Sequence, residues 1–195
     1  MSSVPSRALV MLSLCLTLIV LPACGQPPEK ELHEAQGALD AARAAGAPQY
    51  AADEYQAAAD ALKKAQTAVT DRDYRQALNF ALDSRERAQD AVKDAADRKA
   101  AVRGDAERAL VEGRAALEQA RAVLADAEAA HTPAKLLAAP RATIDQATDA
   151  LQKARTALDA HQELKALDLA SGIAGRLKAT TQDLQALLAH RRRPR

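Results

Sequence analysis

Between Tyr74 and Ala130, small or apolar residues return at alternating steps of three and four for about 57 residues, with no proline among them. Leu78, Ala81, Arg85, Ala88, Val92, Ala95, Lys99, Val102, Ala106, Ala109, Gly113, Ala116, Ala120, Val123, Ala127 and Ala130 share that phase, and only Arg85 and Lys99 are charged. Such spacing keeps all of them on one side of an α-helix and matches coiled-coil periodicity. An unbroken helix of that length would reach ~85 Å at 1.5 Å per residue. Arg103-Gly104-Asp105 is where it could kink, because Gly costs ~1 kcal/mol against Ala inside a helix.

Composition narrows what such helices can build. Alanine fills 50 of the 195 positions, aromatic residues make up 2%, and there is no Trp. Enzyme pockets draw on bulky apolar and aromatic walls, which this chain lacks. Alanine, the best helix former with almost no side chain to bury, suits thin and closely spaced helices.

Shorter stretches repeat the spacing. A helix near 29–46 carries Leu32, Ala35, Leu39, Ala42 and Gly46 and stops at Gly46-Ala47-Pro48. A second, near 50–70, carries Ala51, Tyr55, Ala58, Leu62, Ala65 and Val69, and Thr70-Asp71-Arg72-Asp73 supplies a tight turn with N-cap residues. After the long helix, the two prolines Pro133 and Pro140 predict a loop over 131–140. Helices near 141–160 (Ile144, Ala147, Leu151, Ala154, Leu158) and 163–189 (Ala166, Ala170, Ile173, Leu177, Thr180, Leu184, Leu187) complete the pattern.

The chain also repeats itself. Residues 58–69 align with residues 147–158 at an offset of 89, with eight of twelve positions identical, and Ala77, Leu78 and Ala81 match Ala166, Leu167 and Ala170 at the same offset. Upstream, Leu39, Ala42, Ala44, Ala45 and Pro48 match Leu124, Ala127, Ala129, Ala130 and Pro133 at an offset of 85. The expected fold is therefore all-α: an elongated antiparallel helical bundle of coiled-coil-like spacing, arranged as two three-helix units sharing one long helix. The expected organisation is a signal over 1–23, a tether over 24–28, a first repeat over 29–100, a second over 101–189, and a basic tail over 190–195.

The N-terminal stretch reads as an address. Arg7 is followed by an apolar run from Ala8 to Leu21, the length of a signal h-region and shorter than the ~20 residues of a membrane span. Leu21-Pro22-Ala23-Cys24 then resembles the lipobox of bacterial lipoproteins, in which the cysteine is acylated and becomes the N-terminus; Pro22 stands where a small residue is usual. On this reading Cys24 carries lipid, Cys15 is discarded, and no disulfide forms within the chain. Acyl chains would anchor the protein stably. Where the cell is Gram-negative, Gly25 in place of the Asp that often marks inner-membrane retention points to a periplasm-facing anchor in the outer membrane; the sequence leaves open whether the envelope is Gram-negative or Gram-positive. The chain carries a formal net charge of +1, and removal of Arg7 leaves 26 basic and 26 acidic residues, so no basic field invites nucleic acid.

Pro28-Glu-Lys-Glu-Leu32, the alanine-rich stretch to Gly46-Ala47-Pro48, Tyr50-Ala-Ala-Asp-Glu-Tyr55 and Asp73-Tyr74-Arg-Gln-Ala77-Leu78 together resemble the bacterial lipoprotein family catalogued as domain of unknown function 4398. The resemblance spans roughly residues 27–98. It implies a helical, exported, lipid-anchored domain and brings no catalytic residues.

Side chains that carry chemistry are sparse. His33, His131, His161 and His190 form no metal-ligand motif, although His131 and His161, flanking the helix at 141–160, could approach each other. Ser171 has no nucleophile-elbow context. Arg103-Gly104-Asp105 matches the integrin tripeptide only by chance within a helix. No catalytic residue, cofactor site or metal site is expected. Arg191, Arg192, Arg193 and Arg195 offer a cationic end for an anionic surface, at ~1 kcal/mol per residue. The function expected is a non-enzymatic structural or protein-interaction scaffold in the cell envelope, anchored in the membrane by its N-terminal lipid. It would contact an envelope protein or, non-covalently, the cell wall, with self-association through alanine stripes. The alternative is a helical carrier of a small or lipid-like ligand, held around Leu136, Leu137, Leu184, Leu187 and Leu188.

Overall fold

The computed structural model describes residues 25–192, so residues 1–24 (the export signal and Cys24) and residues 193–195 lie outside it. The described residues form an all-α helical bundle with no strand. In chain order the helices are α1 (Glu29–Ala44), α2 (Ala47–Tyr50), α3 (Ala52–Thr70), α4 (Tyr74–Ala129), α5 (Ala134–Asp159), α6 (Glu163–Ala170) and α7 (Ile173–Arg192).

Three of the helix ends share one geometry. Arg72, His131 and His161 adopt left-handed backbone conformations, with φ of 59°, 54° and 56°. After α3 the Arg72 amide bonds to the Val69 carbonyl and the Asp73 amide to the Ala68 carbonyl. After α4 the pairs are His131 to Glu128 and Thr132 to Ala127, and after α5 they are His161 to Leu158 and Gln162 to Ala157. Each is a Schellman stop, which satisfies carbonyls that the helix leaves orphaned. Asp73 also begins α4, accepting the Gln76 amide at 3.0 Å as an N-cap.

By contact the described residues divide into two units, one taking in residues 25–44 and Ala52–Ala91, the other Ala45–Ala51 and residues 92–192. In the first unit α1 packs on α3. Its fully buried residues are almost all alanine: Ala35, Ala42, Ala58, Ala61, Ala65, Ala77, Ala81, Ala88 and Ala91, with Leu39 and Leu62 the larger ones. In the second unit α5 packs on α6 and α7. Its core is richer in large side chains, with Leu110, Leu117, Ile144, Leu151, Leu158, Ile173 and Leu177 in one cluster.

The long helix is continuous from Tyr74 to Ala129, and Gly104 lies inside it without interruption. The expected stripe needs correction. In the first unit the buried positions of this helix are Ala77, Ala81, Ser84, Ala88 and Ala91, so the core takes Ser84 where Arg85 was expected, and Ala91 where Val92 was. Ser84 fits there because its hydroxyl donates to the Ala58 carbonyl at 2.8 Å. Arg85 sits beside it, half-buried and paired with Glu34. Between Ala95 and Ala106 no residue is buried. Lys99 and Val102, both on the expected stripe, are only half-buried.

Two further boundaries differ. Residues 134–140 are helical, with Pro140 inside α5 rather than in a loop. A proline there forfeits one backbone bond and crowds the Leu136 carbonyl. Burial of Leu137 against Ala127 and Leu184 opposes that cost. The stretch 163–189 is interrupted at Ser171-Gly172, where Gly172 has φ of 73° and the Ser171 hydroxyl caps the Leu167 carbonyl at 2.6 Å. Serine-glycine is a turn dipeptide, and the helical spacing on either side concealed it. Thr181, not Thr180, is the buried threonine of α7.

Candidate functional site

Burial of a charge is the first place to look for chemistry. Among the described residues four polar side chains are buried, and Glu163 is the charged one, 2% exposed. It opens α6, just after the left-handed turn at His161. The Tyr50 hydroxyl donates to its Oε2 at 3.1 Å, and the Lys99 Nζ stands 4.0 Å from its Oε1. Arg98 donates to the Tyr50 carbonyl at 3.2 Å. Burial first, then the hydrogen bond to Glu163 and the charge of Glu163, push the Tyr50 hydroxyl above the ordinary phenol range; a backbone hydrogen bond with Leu164 opposes them. The cluster is satisfied on every side, so it holds the α2 segment against the start of α6. Sequence reading missed it because its members lie 113 residues apart. The one local sign was a glutamate at the first helical position, an ordinary placement on an exposed helix end.

Two recesses are grooves between neighbouring helices. One, about 670 Å³, runs along α5 beside α6, and the other, about 380 Å³, runs along α3 beside the start of α4. They are built from the same positions of the internal repeat. Asp60, Lys64, Thr67 and Ala68 line one, and Asp149, Lys153, Thr156 and Ala157 line the other. Across each groove, Gln76 and Phe80 correspond to Lys165 and Leu169 at the same offset of 89. Lys64 Nζ lies 6.0 Å from the centre of the Phe80 ring. Both grooves are shallow and mixed in character.

The residues singled out from sequence fall as follows. Cys24, Arg193 and Arg195 lie outside the described residues, and Arg191 and Arg192 close α7. His131 and His161 cannot approach each other, because the 26 residues of α5 stand between them, ~39 Å of helix. Each occupies a helix-stop position instead. Among the described residues no group of three or more His, Cys, Asp or Glu is placed to hold a metal ion. Ser171 is a helix cap, its hydroxyl already bonded. Arg103 and Asp105 are engaged along their own helix, with Glu107 and Arg108. Leu137 and Leu184 are buried together with Ala127, with Leu188 packed on them, whereas Leu136 is 49% exposed. No described helix is long and apolar enough to cross a membrane.

No curated protein and no solved structure matches the chain. The family model described as Domain of unknown function (DUF4398) matches residues 30–107, which cover α1, α2, α3 and the first part of α4. That segment carries Tyr50, Arg98 and Lys99 of the buried cluster and the whole of the smaller groove, and its similarity to the DUF4398 model extends over 78 of the chain's 195 residues.

Proposed function

We propose that the chain is a lipid-anchored protein of the bacterial cell envelope that works as a non-enzymatic scaffold. The observation that carries this reading is Leu21-Pro22-Ala23-Cys24 at the end of a 14-residue apolar run, followed at once by a polar stretch and an all-helical body. An acylated Cys24 would hold the N-terminus at the outer membrane and leave the helices in the periplasm. The helical body supports a contacting role. Its charged side chains engage one another along exposed helix faces, as in Arg103–Glu107, Arg121–Glu118 and Arg155–Asp159. The buried Glu163 is satisfied by Tyr50 and Lys99. Leu137 and Leu184 fill the space that a lipid-like ligand would need, which weighs against the carrier reading. The partners are an envelope protein or the wall, met without a covalent bond, and the cationic end at Arg191, Arg192, Arg193 and Arg195 adds attraction to an anionic surface.

Metabolic labelling with a clickable fatty acid tests the anchor in cells making either the parent chain or Cys24→Ser. The parent should carry label and sediment with membranes, while Cys24→Ser carries none and moves to the soluble periplasmic fraction. Equal behaviour of the two would refute the anchor, and the envelope role with it.

A further inference from the structure

The two grooves differ in which of their residues burial can explain. Over residues 58–69 and their counterparts 147–158, eight positions are identical. Five of these identities, such as Leu62 with Leu151 and Ala65 with Ala154, are apolar positions facing a core. The other three are exposed in both copies: Asp60 with Asp149, Lys64 with Lys153, and Thr67 with Thr156. From residue 58 to 81, no other exposed position is the same in the two copies. The three stand at i, i+4 and i+7, one ridge of one helix face, and that ridge is the wall of the groove in each unit. Exposed helix positions away from special features tolerate exchange with little effect on stability. Folding therefore does not account for keeping these three while their neighbours changed.

The charges on the ridge are also left available. Among the described residues Lys64, Asp149 and Lys153 make no ion pair, whereas nearby Arg121, Arg141 and Arg155 are each paired. An acid followed by a base one turn later has a definite complement: the same pattern running the other way, where each acid meets a base. The chain carries that complement itself.

We infer that the two ridges are a matched pair, and that the α3 groove of one copy docks antiparallel on the α5 groove of a second copy of this chain. Setting Asp60 opposite Lys153 places Lys64 opposite Asp149. The same register puts Thr67 against Gln146, and the flanking Asp53 and Asp71 against Ala160 and Ala142. Along the ridge itself no like charges meet; Glu54 with Asp159 and Arg72 with Arg141, which share the register, lie about 100° around each helix from it. Docking α3 on another α3 instead brings Asp53 onto Asp71 twice. A formal charge of +1 adds no general repulsion between copies. The inference does not depend on lipidation.

The test uses the full-length chain in cells, expressed as two differently tagged copies, one with Thr67→Cys and the other with Gln146→Cys, treated with a short bismaleimide. The expected result is a cross-linked pair containing both tags, absent from the parent chain without the added cysteines. Adding Asp149→Lys to both copies should lower its yield roughly threefold to tenfold, since an attractive pair becomes a repulsive one. Adding Lys64→Asp as well should restore it, and Lys153→Asp in its place should not. Helicity by circular dichroism checks that the exposed substitutions leave the fold intact. The inference is overturned if no doubly tagged product forms, if the cysteines capture only other proteins, or if Lys153→Asp restores the product and Lys64→Asp does not. The last outcome would mean that α5 pairs with its own copy.

Discussion

Gly104 and Gly113 lie nine residues apart on α4, and the second unit treats them oppositely. Replacing either by alanine removes the same backbone entropy penalty, about 1 kcal/mol inside a helix. A methyl group at Gly104 meets nothing within 4 Å. Gly104→Ala should therefore stabilise the protein by about 1 kcal/mol. At Gly113 the same methyl would come 2.7 Å from Leu151 Cδ2, with Leu151 Cδ1 and Ile173 Cγ2 at 3.6 and 3.7 Å. Carbon atoms prefer separations of ~3.5–4.0 Å, so Leu151 must shift by roughly 1 Å. It has little room, being 4% exposed inside the core cluster. Overpacking of that kind costs about 1–3 kcal/mol. Against the backbone gain, Gly113→Ala should range from neutral to about 2 kcal/mol destabilising, leaving the two variants 1–3 kcal/mol apart. Urea unfolding followed by far-ultraviolet circular dichroism measures both. If Gly113→Ala stabilises as much as Gly104→Ala, the close approach of α4 to Leu151 is wrong, and the packing of the second unit with it.

Two further expectations concern the turns and the buried cluster. His131→Gly and His161→Gly should each stabilise by about 0.5–1 kcal/mol, because glycine adopts the left-handed conformation without penalty; a loss of stability in the same urea titration would give those imidazoles a role beyond helix stops. Tyr50→Phe should destabilise by about 1–3 kcal/mol at neutral pH, since the buried Glu163 loses a donor. The hydroxyl of Tyr50 is raised in the folded state, so its contribution is full below the ordinary phenol value of 10.0 and is lost as pH climbs through the raised value. The parent chain should accordingly lose stability above about pH 10 more steeply than Tyr50→Phe. Matching alkaline limbs in pH-resolved thermal melts would dismiss the Tyr50–Glu163 bond.

The errors of the sequence reading share a physical cause. Along α4 the alternation of three and four located the helix and its length, yet it chose Leu78, Arg85 and Val92 where the core holds Ala77, Ser84 and Ala91. A step of one residue turns the face by about 100°. In an ordinary helix a large apolar side chain resists that turn, but here each pair sets a large residue beside a small one, and the small Ala77, Ser84 and Ala91 are the ones that face the core. Where large side chains are present, as at Ile144, Leu151 and Leu158 on α5, the expected and observed core coincide. Pro140 misled for a related reason. A proline argues locally for a loop, and the packing of Leu137 on Leu184 outweighs it from a distance.

What the sequence determined by itself is what depends on near neighbours: an all-helical chain, its turns at Gly46, Arg72, His131 and His161, the cap at Asp73, and the repeat at an offset of 89. Propensity, capping and period act within a few residues, so they can be read along the chain. Tertiary structure decided which face of each alanine-rich helix is buried, that Glu163 is enclosed by Tyr50 and Lys99, and that the repeated Asp, Lys and Thr line a groove in each unit. Those outcomes rest on side chains brought together from far apart in the sequence, and where most buried side chains are a single methyl group, only the packed neighbour can select among nearly equivalent faces.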